Sequence, residues 1–175
     1  MTRCLGPRRP LIQGAAALAV CLLWQLPLQA AGQARPIEGH ENWKLGMTQA
    51  EAQAAEPRAE AIACAEDSCL RYTDHRFATA EIAVSAHFTE ADVLDVIVVE
   101  MAVQPGENFC RRLFAQLAAF YTSAHGVTAP VSQDAWVWTS PQATLSLLTT
   151  CKTNTAGNIN ILFQSTEAAA APVEP

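Results

Sequence analysis

Basic residues are scarce in this chain, and they are scattered. Lysine and arginine together number 11 against 17 aspartates and glutamates, and Arg3, Arg8 and Arg9 fall within the first nine positions. From Arg35 onward the balance is 8 − 17 = −9, and Arg111-Arg112 is the only adjacent basic pair there. Nucleic acid and anionic lipid surfaces are both held by clusters of Lys and Arg, so neither is an expected partner.

The familiar catalytic spacings are missing too. The four histidines, His40, His75, His87 and His125, show no His-Glu-x-x-His or other paired metal spacing. No serine sits in a Gly-x-Ser-x-Gly elbow, although Asp74 stands beside His75. Glu66-Asp67 lies outside any Asp-x-Asp-x-Asp-Gly loop and reads as a polar turn. His87 falls on the polar side of its strand and reads as solvated. No catalytic residue, metal ligand or cofactor is assigned on these grounds. An enzyme whose site is assembled in space is the alternative.

No acidic residue precedes Glu38, and that absence frames what the chain does contain. The three early arginines are followed by an apolar run, densest in "GAAALAVCLLW", then by Pro27 and the small residues of "LQAAGQA". This is the layout of a secretory signal peptide over residues 1–34, with cleavage expected after Ala30 or Ala34. The run at 11–31 has roughly the 20-residue length of a bilayer span, but Gln13, Gln25, Gln29 and Pro27 interrupt it. After cleavage no integral membrane segment is expected. Lipidation at Cys21 is disfavoured, because Val20 occupies the preceding position and "LLW" keeps the run apolar beyond it. A periplasmic or secreted location in a Gram-negative type envelope follows.

Residues 35–166 read as a single domain and 167–175, "EAAAAPVEP", as a disordered tail. Thr48 with Glu51 three residues on has capping-box spacing for a short helix that Pro57 ends. "AIAC" and "CLRYT" flank a hairpin loop, and Ala80, Ile82, Val84, Ala86 and Phe88 alternate along a strand with one wet face. "VLDVIVVEMAV" reads as a more fully buried, central strand. Cys110, Leu113, Phe114, Leu117, Tyr121 and Ala124 then form the apolar stripe of a second helix, stopped at Gly126. "AWVWT", "ATLSLLTTC" and "NINILFQ" are three further strands. The expected fold is α+β, with an antiparallel sheet of six to seven strands in the order α-β-β-β-β-α-β-β-β and both helices on one sheet face.

Cys64, Cys69, Cys110 and Cys151 follow the signal region. An even number in an exported protein argues for two disulfides. Cys64 and Cys69 flank the hairpin loop, whereas Cys110 and Cys151 lie on faces expected to pack together. The expected pairs are therefore Cys64–Cys69 and Cys110–Cys151. A thiol oxidoreductase wants Cys-x-x-Cys, not the Cys-x4-Cys of "CAEDSC". A zinc site drawn from Cys64, Cys69 and His75 has no evident fourth ligand. Trp136 and Trp138 project to one side of their strand, either as a binding surface or as core beneath a helix.

At "WKLGMTQAEAQA", residues 43–54, the chain resembles the beginning of small bacterial envelope domains of the SmpA/OmlA type. Those domains share a Gly-Met-Thr turn into a helix followed by an antiparallel sheet. The resemblance, carried by Gly46, Met47 and Thr48, implies a non-catalytic envelope domain whose partner is another protein.

Overall fold

The computed structural model describes residues 34–64, 68–77, 80–104, 108–152 and 156–166, apart from the side chains of 74–77 and 80. In chain order the elements are β1 (Gly39–His40), β2 (Trp43–Lys44), α1 (Gln49–Ala55), β3 (Glu60–Ala63), β4 (Ser68–Phe77), β5 (Ala80–Phe88) and β6 (Leu94–Val103). They continue with α2 (Phe109–His125), β7 (Pro130–Ser132), β8 (Ala135–Thr139), β9 (Ala143–Thr149) and β10 (Gly157–Ser165).

The local signals act as the sequence implies. Thr48 caps α1 through a full capping box, its side chain accepting from the Glu51 amide while the Thr48 amide donates to Glu51 Oε2 at 2.8 Å. Alternation along β5 buries Ile82, Val84, Ala86 and Phe88 and leaves Glu81 exposed. On α2 the stripe buries Cys110, Phe114 and Tyr121, with Ala118 completing it, and Gly126 closes the helix at φ 95°.

Strands β3 to β10 make one eight-stranded sheet in the order β3-β4-β5-β6-β10-β9-β8-β7. Every neighbouring pair is antiparallel. Strands β3 to β6 form one meander; α2 then carries the chain to the far edge, and β7 to β10 wind back until β10 lies against β6. A helix followed by a four-stranded meander thus occurs twice, with the last strands of both units side by side at the centre.

One sheet face is the core. Leu70, Tyr72, Val84, Ile97, Val99, Ile159, Ile161, Phe163, Leu145 and Leu147 are buried on it. Tyr121 of α2 packs on Phe163 and Trp138 of that face, with centroids at 6.4 and 5.7 Å. Trp43 of β2 meets Tyr72 edge-on at 5.1 Å and donates from Nε1 to the Ala52 carbonyl of α1 at 2.9 Å. The contacts of both helical segments therefore fall on one face.

The sheet is larger than the six to seven strands expected, because β7 joins it as an edge strand of three residues. Two residues each in β1 and β2 pair separately. Segments this short hold no full period, so alternation cannot reveal them. Strand β6 is central, as expected, but Glu100 and Ala102 are exposed, so its second face is not sealed.

Candidate functional site

Two regions concentrate chemistry: a groove beside α2, and a cluster on the sheet face opposite the helices.

The groove arises where α2 and the β7–β8 edge diverge. Phe114, Ala115, Ala118, Ala119, Val127 and Trp136 form its apolar lining, and its volume is about 790 Å³. Among the described residues Arg111 is the one charged residue in the wall, and its Nη1 bonds to Asp134 Oδ1 at 2.5 Å and to the Gln133 carbonyl at 3.3 Å. That pairing makes the opening nearly neutral. The alanines come from spacings of three and four on α2, so small side chains fall along one line and admit a close approach. Val127 is 94% exposed and Phe120 62%, and with Val131 they are the most exposed large hydrophobic side chains described.

The two tryptophans divide between the readings that their spacing left open. Trp138 is buried under Tyr121, whereas Trp136 is half-buried and lines the groove. Their rings stack at 5.9 Å with planes 14° apart, so Trp138 sets the orientation of Trp136. Burial also pushes the Tyr121 hydroxyl pKa up, to about 12, which keeps it neutral beside this stack.

Cysteine pairing is as the sequence implied: Cys64 with Cys69, and Cys110 with Cys151. The second pair ties the first turn of α2 to the β9–β10 turn. Asn108 begins α2 in a left-handed conformation without a side-chain cap bond, so the bridge fixes a helix start that capping does not. Gly157 makes room for it, since a Cβ there would lie 2.9 Å from Cys151 Cα and 3.3 Å from Cys110 Sγ.

On the opposite face, the β4–β5 register sets Cys69 directly across from His87. Their Sγ and Nδ1 atoms are 3.2 Å apart, and His87 Nε2 lies 3.3 Å from Ser85 Oγ. Cys64, Cys69 and His87 offer ligand-type atoms all within 4.8 Å of one another. His87, which the sequence suggests is merely solvated, is the histidine that joins the cysteines. The His75 side chain lies outside the described residues. Val98 and Leu162 are half-buried on this open face. Beside them, Arg71 Nη2 pairs with Glu100 Oε2 at 3.3 Å, and a shallow depression of about 260 Å³ adjoins the pair.

A third ionic feature sits under α1. Glu56 is buried and receives Nε and Nη2 of Arg58 at 2.7 and 2.8 Å, which holds its carboxyl below the usual Glu range against the opposing effect of burial. The Arg58 guanidinium also lies 5.0 Å from the Tyr72 ring centre. This is a brace between α1 and β4 rather than a site.

No helix among the described residues is long and apolar enough to cross a membrane. No family model, curated protein or solved structure matches the chain.

Proposed function

We propose that this chain is an exported, disulfide-braced domain of a Gram-negative type envelope that acts by binding another protein rather than by catalysis. The observation that carries the reading is the α2–β8 groove, an open apolar cleft with a tryptophan in its wall and an internally neutralised arginine at its edge. The occupant is an apolar segment of the partner, flanked by basic residues. Its apolar part follows from the lining, and its flanks from the net charge of −9 on residues 35–175, obtained as 8 − 17. Export is supported by the signal-peptide layout of residues 1–34 and by two closed disulfides. The SmpA/OmlA resemblance at residues 43–54 points the same way. An inhibitor-like role is a variant of this reading.

Selection of a random displayed-peptide library on the folded, oxidised domain tests it. The expected result is enrichment of apolar peptides with Lys or Arg at their flanks, whose binding Val127→Asp abolishes. Enriched peptides that bind the Val127→Asp domain equally well would sink the groove as the site.

A further inference from the structure

The Cys64–Cys69 cluster, on the sheet face away from the groove, has an asymmetry that a simple staple does not need. Cys69 is fully buried, whereas Cys64 is half-buried. Among the described residues, Cys69 is the one of the pair with an imidazole nitrogen at hydrogen-bond distance from its sulfur, His87 Nδ1 at 3.2 Å. A disulfide sulfur carries no hydrogen and can only accept, so Nδ1 is the donor in this contact. The Ser85 hydroxyl, 3.3 Å from Nε2, then donates to the other ring nitrogen and holds that tautomer. Ser85 is itself buried, so this orientation is built into the sheet.

The geometry points to Cys64–Cys69 as a reactive disulfide that accepts electrons from a dithiol, with Cys64 the attacked sulfur and His87 stabilising the departing Cys69. Thiol–disulfide exchange is governed by access to the attacked sulfur and by stability of the leaving thiolate. Both favour the same direction here. A substrate thiolate bonds to Cys64 Sγ, the Cys64–Cys69 bond breaks, and its electron pair passes to Cys69 Sγ. The Nδ1–H···S contact becomes charge-assisted as that pair arrives. The substrate's second thiol then attacks its own sulfur in the mixed disulfide and releases Cys64. In sum, two electrons and two protons leave the substrate dithiol for the cysteine pair, and the substrate becomes a disulfide. The disulfide held by the chain is the oxidant, one equivalent per molecule. Cys110, on α2, and Cys151 are both buried, no imidazole bonds to either sulfur among the described residues, and the pair has no share in this step.

The test uses the oxidised full-length domain and reduced glutathione, quenched by a thiol alkylator and mapped by peptide mass spectrometry. At early times glutathione should be found on Cys64 and the alkyl group on Cys69, with Cys110–Cys151 still closed. Opening of Cys64–Cys69 should be at least about tenfold faster than that of Cys110–Cys151, and His87→Gln should slow it about tenfold while leaving the second bridge unaffected. Glutathione on Cys69, equal opening rates of the two bridges, or wild-type rates in His87→Gln would each overturn the assignment. The position of the mixed disulfide is read on the unsubstituted protein, so it does not depend on any variant folding.

Discussion

Trp136 and Trp138 lie with nearly parallel rings, their centroids 5.9 Å apart, yet one belongs to the core and the other to the surface of the groove. Their alternation with Val137 puts both on the helix-covered side of β8, and the position of α2 then separates them. Trp138 is 2% exposed, and its indole N–H finds no acceptor among the described residues. Trp138→Ala should therefore cost about 3–5 kcal/mol, as large aromatic truncations in cores do. Trp138→Phe should cost far less, because it removes an unsatisfied buried donor along with the lost area. Trp136→Ala should lower stability by less than half the Trp138→Ala figure while removing groove binding. Chemical denaturation of the three variants measures the order, and a larger loss at Trp136 would contradict it.

The two bridges should contribute unequally. Cys110–Cys151 spans 41 residues of sequence and Cys64–Cys69 only 5. In the chain-entropy model, opening the longer loop costs about 4 kcal/mol and the shorter about 2. The double variants Cys110→Ala/Cys151→Ala and Cys64→Ala/Cys69→Ala, compared by urea unfolding, check the ranking.

Gly157 should resist substitution although its place near a turn suggests tolerance. An added Cβ would meet Cys151 backbone at 2.9 Å, and backbone cannot move aside as a flexible side chain can. Gly157→Ala should lower stability by about 1–3 kcal/mol, the range for overpacked sites. A thermal midpoint equal to that of the unsubstituted domain would show that the β9–β10 turn relaxes freely.

The Glu56–Arg58 brace predicts acid sensitivity. The folded-state carboxyl is lowered from 4.5, chiefly by the Arg58 hydrogen bond. Its stabilisation is therefore in force above the unfolded value and is lost as pH falls through the lowered folded value. Arg58→Gln removes the cause of the lowering, so the parent's stability advantage over the variant should be largest near neutral pH and shrink as pH falls through the lowered folded value. Urea unfolding of both proteins across an acid titration reads this directly, and an advantage that stays constant or grows toward acid would contradict it.

Much of this architecture is legible in local residue patterns. Thr48 and Glu51 announce α1, the alternating residues of β5 announce a half-buried strand, and the facing of Cys110 and Cys151 announces their bridge. What escapes is whatever depends on register or on very short segments. β7 contributes three residues beginning with Pro130, too few for periodicity and suited to an edge. The meeting of His87 with Cys69 depends on how β4 pairs with β5, and that pairing contains an irregularity between Asp74 and Phe77. A slip of one residue would turn these side chains to opposite faces, so sequence alone leaves the contact undetermined. The groove escapes for a similar reason: Trp136 is visible as an aromatic, but the alanines of α2 that complete the cleft look like ordinary helix formers.

Amide and indole chemical-shift mapping is the sharpest test of the groove as the binding surface. Titrating the isotopically labelled domain with a selected apolar, basic-flanked peptide should shift Ala115, Ala119, Val127, Gln133 and the Trp136 indole together, saturably. Shifts confined to the open sheet face around Val98, Leu162 and Glu100 would instead place binding on the opposite side and overturn the groove as the site.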